Sequence, residues 1–266
     1  MHEIIVQNSQ LLPGLICSAN ESIALRGAKI DFMFRDLPRE DNDSGWGFQD
    51  TEEESLKPSN PHKKNVPLGS ILKHHSEILP HLNAPYFSAF TRNEEGILTR
   101  DLKVEQDYDE ERNDYEEALR LIPLITEAFR DVQLEDGTSF HQSIARDNYD
   151  DEEAARLLDT DNHWTEIDVC KMRLRGSGGM CFMDAKGFRY YLPAFMIFEL
   201  KYPLLGNNFG LDFHLEGWDK DKSSDRFKIL NQSQCVAVRK FLEFKVKHSD
   251  TFYGDALRSY WHQFKD

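Results

Sequence analysis

The 266-residue sequence is poor in cysteine: Cys17, Cys170, Cys181 and Cys235 are far apart, and no Cys-x-x-Cys pair occurs. That spacing excludes a thiolate zinc finger and a disulfide framework, and it leaves buried thiols of a reducing compartment. Basic residues are also scarce, 32 Lys and Arg against 47 Asp and Glu, for a formal net charge of −15. A surface this acidic repels phosphate, so nucleic acid and anionic membranes are excluded as general partners. No long apolar run exists. The longest, residues 190–198, contains Pro193 and meets Glu199 and Lys201, far short of the ~20 residues that a membrane span needs. The start of the chain, MHEIIVQNSQ, lacks the basic n-region of an export signal, and the expectation is a cytoplasmic protein. Internal repeats are absent.

What is present is enough apolar and aromatic residue, 39% and 12%, for a sizeable core. The fold class predicted is α+β: a small N-terminal α+β domain over residues 1–100, then a mainly helical domain over 114–266 with a small β-hairpin or sheet. Between them, residues 101–113 belong to a carboxylate-dense stretch, DLKVEQDYDEERNDYEE, read as an acidic linker or as a helix start on a solvated face. In the first domain, residues 15–17, 29–35 and 86–91 read as strands, Trp46-Gly-Phe48 enters another, and 68–82 reads as short helices split around His75-Ser76. The stretches 38–47 and 55–67 read as loops. In the second, Leu119, Ile122, Ile125 and Phe129 lie at helical spacing, with Pro123 expected to kink or start that helix. Helices are predicted near 139–147 and 152–158, from Asn231 or Ser233 to Lys247, and from about Asp250 to Phe264. Residues 180–191 read as a hairpin about the Asp184-Ala-Lys-Gly187 turn, and Leu192-Pro193 opens an apolar segment.

Nucleotide and metal signatures fail on inspection. Gly176-Ser177-Gly178-Gly179 is not followed by the Lys-Ser/Thr of a phosphate loop, and it reads as a turn. Residues 219–230 place Ser224 where a calcium loop needs Gly and Leu230 where it needs Glu. The closest histidines, His74, His75 and His81, lack metal spacing, and no serine or cysteine stands in a nucleophile context. No catalytic residue, cofactor or metal is expected.

The stretch KIDFMFRDLPREDNDSGWGFQDTEEE, residues 29–54, followed by LGSILKHHSEILPHLNAPYFSAF, residues 68–90, resembles the bacterial immunity-protein family numbered thirty-three among the polymorphic toxin systems. The resemblance covers residues 12–98, and the Pro- and Lys-rich loop 55–65 departs from it. Residues 115–246 are similar to an uncharacterised bacterial domain, marked by Asp136-Gly137, Asp147-x-Tyr149, Trp164, Tyr191-Leu-Pro-Ala194, Leu230, Gln234 and Phe241-Leu242. The first resemblance implies a non-enzymatic protein that blocks a cognate toxin stoichiometrically; the second implies a fold unit without a known activity. The alternative is an enzyme or ligand-binding regulator acting through the second domain. Candidate partner-binding residues are Glu40, Asp41, Asp43, Ser44, Trp46, Asp50, Glu52, Glu53 and Glu54, a carboxylate-rich loop suited to a basic partner. For Gly45 and Trp46 a structural role competes: a turn and a buried ring.

Overall fold

The computed structural model describes residues 5–7, 10–51, 63–169, 172, 177–205, 210–216, 225–248 and 252–266. The chain divides between Asn113 and Asp114 into two compact units. The acidic stretch before that point is helical, with α3 at Leu102–Gln106 and α4 at Asp109–Ala128. Asp101 begins it, its carboxylate accepting the Val104 N–H at 3.2 Å. Carboxylates over the first turns of both helices suit the positive end of the helix dipole.

The first unit is built on a mixed sheet of six strands in the order β6-β3-β5-β4-β7-β8, beside a two-residue ladder of β1 (Val6–Gln7) and β2 (Gln10–Leu11). The strands are β3 Ile16–Asn20, β4 Phe32–Arg35, β5 Asp43–Gln49, β6 Lys63–Pro67, β7 Ser88–Arg92 and β8 Leu98–Arg100. Only β3 and β5 run parallel within the six; every other neighbour is antiparallel. One face carries Cys17, Ala19, Met33, Trp46, Phe48 and Phe90, packed on Ile23 of α1 (Glu21–Arg26), Leu68 and Ile71 of α2 (Leu68–Leu72), and Ile78 of the 3-10 turn Ser76–His81. The alternation in β4, Met33 inward and Phe32 and Phe34 half-buried on the other side, is the period of two read from the sequence. The expected loop through Pro67 is corrected at its end: Lys63–Pro67 pairs along β3 as an edge strand. Its lysines fit an edge exposed to water, and its proline closes the ladder. Residues 55–62 of that loop lie outside the described residues.

The second unit is helical, and among its described residues there is no strand. The hairpin expected over 180–191 is instead the entry to α7, Ala185–Lys201. Asp184 decides this: its side chain accepts the Gly187 N–H at 2.7 Å, capping a helix where the sequence suggested a turn. Phe188, Tyr191, Leu192, Phe195 and Phe198 then recur at helical spacing in the core, so their β-preference yields to burial. Pro193 lies inside this helix, and Pro123 lies inside α4, neither starting one. Further helices are α5 Phe140–Asn148, α6 Glu152–Arg156, α8 Leu211–Glu216, α9 Gln232–His248 and α10 Phe252–Ser259. They bury Phe140, Leu215, Val238, Phe241, Tyr253 and Trp261 in one core with Ile125 of α4 and Phe129 just after it. The indole N–H groups of Trp164 and Trp261 reach the carbonyls of Phe129 and Leu215 at 2.8 and 2.9 Å, which lets large rings be buried without an orphaned donor.

Candidate functional site

The face of the first unit's sheet opposite its core is covered unevenly. At β7, the Ala89 carbonyl accepts the Asp101 N–H, and the Ala89 N–H donates to Glu105 of α3. Across β6, β3, β5 and β4 the same face forms a groove of about 380 Å³, lined by Ile16, Ser18, Phe34, Gly47, Lys63 and Asn65, with Asp36, Arg39, Glu40 and Asp43 at one end.

Two glycines make this floor possible. Phe34 lies flat over Gly47: a Cβ there would meet its ring at 2.4 Å. Phe34 stacks on Phe32 with ring centroids 5.7 Å apart, and the Lys63 ammonium sits 5.9 Å from the Phe34 centroid. Gly45 adopts φ +74° and presses its α-carbon against the Asp36 carbonyl, where a Cβ would stand 2.1 Å from the oxygen. This bend belongs to an irregularity in the β3–β5 ladder, where Ile16 pairs with Asp43 but Ser18 already pairs with Gly47.

The Asp43-Ser44-Gly45-Trp46 tetrapeptide is the device that fixes the bend. Asp43 accepts the N–H groups of Gly45 at 2.8 Å and Arg39 at 3.0 Å. Ser44, fully buried, donates to the Ile16 carbonyl at 2.7 Å and accepts the Trp46 N–H at 3.3 Å. Trp46 donates its indole N–H to the Leu82 carbonyl at 3.1 Å. Arg35 is buried beside it, its guanidinium 4.6 Å from the Tyr86 ring centroid and 6.0 Å from that of Trp46, and donating to the carbonyls of Ala84 and Ser44.

The nine residues singled out in the sequence therefore separate. Glu40 and Asp41 are exposed, Asp43 is half-buried, and Glu40 and Asp43 line the groove. Ser44, Trp46 and Asp50 are buried, and Trp46 also lines the groove. Asp50 accepts from Asn20 Nδ2 at 3.0 Å and from the Ser22 hydroxyl, a buried acid met by dedicated donors. Glu52, Glu53 and Glu54 lie outside the described residues. The sequence reading missed Phe34, Gly47, Asp36 and Lys63 as lining residues. The period-two alternation about Met33 already placed Phe34 on the second face.

Thiol chemistry has weak support. Burial, with the Asp43 charge adding to it, pushes the Cys17 thiol up to about 12, and burial takes Cys235 to about 11. In the second unit Cys181 Sγ lies 3.9 Å from His214 Nε2, and Arg226 donates to the Cys181 carbonyl at 2.7 Å. Burial raises the Cys181 thiol, while burial and then the Arg226 charge lower His214 to about 4. Both shifts favour a neutral pair, the reverse of an activated thiolate. Because folded His214 takes up its proton only near pH 4, stability is intact above about pH 6.5 and falls as the pH drops from there toward 4. The loss is at most about 3 kcal/mol. Urea denaturation at pH 7 and pH 4.5 checks this: the drop should shrink in His214→Gln, and an equal drop in both chains would remove His214 as its source. Among the described residues no group of His, Cys, Asp or Glu is placed to hold a metal ion, and no helix is long and apolar enough to cross a membrane. Cys170, Gly176 and residues 219–224 of the calcium-like loop lie outside the described residues.

Compared with known families, residues 117–265 match the model of a family of unknown function, DUF6714. The chain belongs to the DUF6714 family. Its residues 17–101 match the Immunity protein Imm33 domain, so the groove lies in an immunity domain and the DUF6714 part is the helical unit. No curated protein and no solved structure matches the chain.

Proposed function

We propose that this DUF6714 protein is a cytoplasmic bacterial immunity protein of a polymorphic toxin system, which binds a cognate toxin one-to-one and blocks it without a catalytic step of its own. The observation that supports the reading is the open groove in the immunity domain. Phe34 over Gly47 offers an apolar floor, and Asp36, Glu40 and Asp43 border one end together with Arg39. Such a floor suits an inserted anchor side chain, while the acids steer a basic partner and raise its association rate. The neutral Cys181–His214 pair gives no support to the rival reading of an enzyme acting through the helical unit.

The test is co-purification with the product of the neighbouring gene, followed by titration of that product's toxicity. A one-to-one complex that abolishes toxicity is expected; absence of a complex would refute the proposal. Within such a complex, Glu40→Lys should slow association several-fold at low salt and flatten its salt dependence, leaving dissociation nearly unchanged. Unaltered association kinetics would move the interface away from this end of the groove.

A further inference from the structure

One cation of the chain already lies against the aromatic floor of the groove. The Lys63 ammonium is 5.9 Å from the Phe34 centroid, close to the limit of about 6 Å for a cation held by a ring, and Lys63 is exposed. A contact that long in water is readily exchanged. The same domain shows the closer fit that a flat cation reaches, with the buried Arg35 guanidinium 4.6 Å from the Tyr86 centroid.

The carboxylates that line the groove differ in how far they are committed. Asp36 accepts the Leu37 N–H at 2.8 Å and Arg39 Nη2 at 3.0 Å, and Asp43 accepts the backbone N–H groups of Gly45 and Arg39. Glu40 is exposed, and its carboxylate meets no ion-pair or hydrogen-bond partner among the described residues. Three acids thus face two bases, Arg39 held by Asp36 and Lys63 resting on the ring, so one negative charge is left over beside an aromatic surface. A group that complements both is cationic, flat enough to lie on a ring, and armed with in-plane N–H donors for a carboxylate. An ammonium satisfies the first condition and a guanidinium all three. The groove, at about 380 Å³, has room for such a side chain.

We propose that the groove takes an arginine side chain of the partner protein, whose guanidinium stacks on Phe34 in place of the Lys63 ammonium and donates to Glu40. This anchor rests on the toxin-blocking reading of the immunity domain and gives that reading a chemistry. Lys63 becomes a specificity residue: it holds the ring while the groove is empty and repels any cation that cannot displace it.

The full chain, 15N-labelled, is titrated at neutral pH with acetyl-Gly-Arg-Gly-amide, with the lysine and glutamate peptides of the same frame as controls. Expected with the arginine peptide, at tens of millimolar, are shifts confined to residues 16–18, 34–47 and 63–65. Binding should be several-fold weaker with the lysine peptide and absent with the glutamate peptide. Lys63→Met should tighten the arginine peptide several-fold, and Glu40→Gln should weaken it several-fold. Both side chains are exposed, so neither change disturbs the core, and a folding defect cannot produce the gain expected of Lys63→Met. No shifts, equal binding of the arginine peptide and either control, or weaker binding in Lys63→Met would overturn the assignment. A toxin complex that forms while the arginine peptide gives no shifts would sink the arginine anchor and spare the toxin-blocking reading. Specific arginine binding without any toxin complex would do the reverse.

Discussion

Gly45→Ala is expected to cost the immunity domain more than about 4 kcal/mol, enough to unfold much of it at ambient temperature. Two penalties combine: a non-glycine residue at φ +74°, on the order of 1–3 kcal/mol, and a Cβ placed 2.1 Å from the Asp36 carbonyl oxygen, which is backbone and cannot swing aside. Gly96 supplies the control. It has φ +81° with nothing within 4 Å of its would-be Cβ, so Gly96→Ala should carry the conformational cost alone, about 1 kcal/mol. Urea denaturation followed by circular dichroism compares the two; equal effects would mean that the strand bend at Gly45 relaxes freely.

The second large effect is expected at Glu105, in the stretch whose composition suggested solvated charge. Glu105 is 4% exposed. It receives Arg100 Nε and Nη2 at 2.7 and 3.0 Å and the Ala89 N–H at 3.2 Å, with Arg112 Nη2 at 3.9 Å. Glu105→Ala orphans a buried strand N–H and removes a two-pronged arginine pair, at about 4 kcal/mol. Glu105→Gln, which can still accept from Ala89, should fall between that variant and the native chain. A loss below roughly 1 kcal/mol for the alanine variant would show that Arg100, half in water, is worth no more than a surface ion pair.

These two residues also show what sequence alone could deliver. Alternation over residues 32–35, helical spacing through Ile125 and Phe129, and the Ser76–His81 turn after α2 were all legible, because local period and burial agree there. The α7 entry was not. Asp184-Ala-Lys-Gly187 satisfies both a hairpin turn and a helix cap, and only the core around Phe188 and Tyr191 decides between them. Strand β6 escaped for the opposite reason: Lys63, Lys64 and Asn65 have no strand preference, and their pairing with β3 is set by a distant partner. Of the site, the acids of the loop were visible as charge. Whether a carboxylate faces water, as Glu40 does, or a set of internal donors, as Asp50 and Glu105 do, depends on residues far along the chain such as Asn20 and Ala89.

The order β6-β3-β5-β4-β7-β8 carries a kinetic consequence. Its ladders join positions remote in sequence, Ile16 to Pro67 at the β6 edge and Phe32 to Thr91 inside the sheet, each across more than fifty residues, so much chain entropy is surrendered before these pairings are rewarded. The helical unit nucleates through turns closed four residues apart. The segment that leaves the ribosome first is therefore the one with the slower topology, and the groove between its strands is completed only after β6 has found β3.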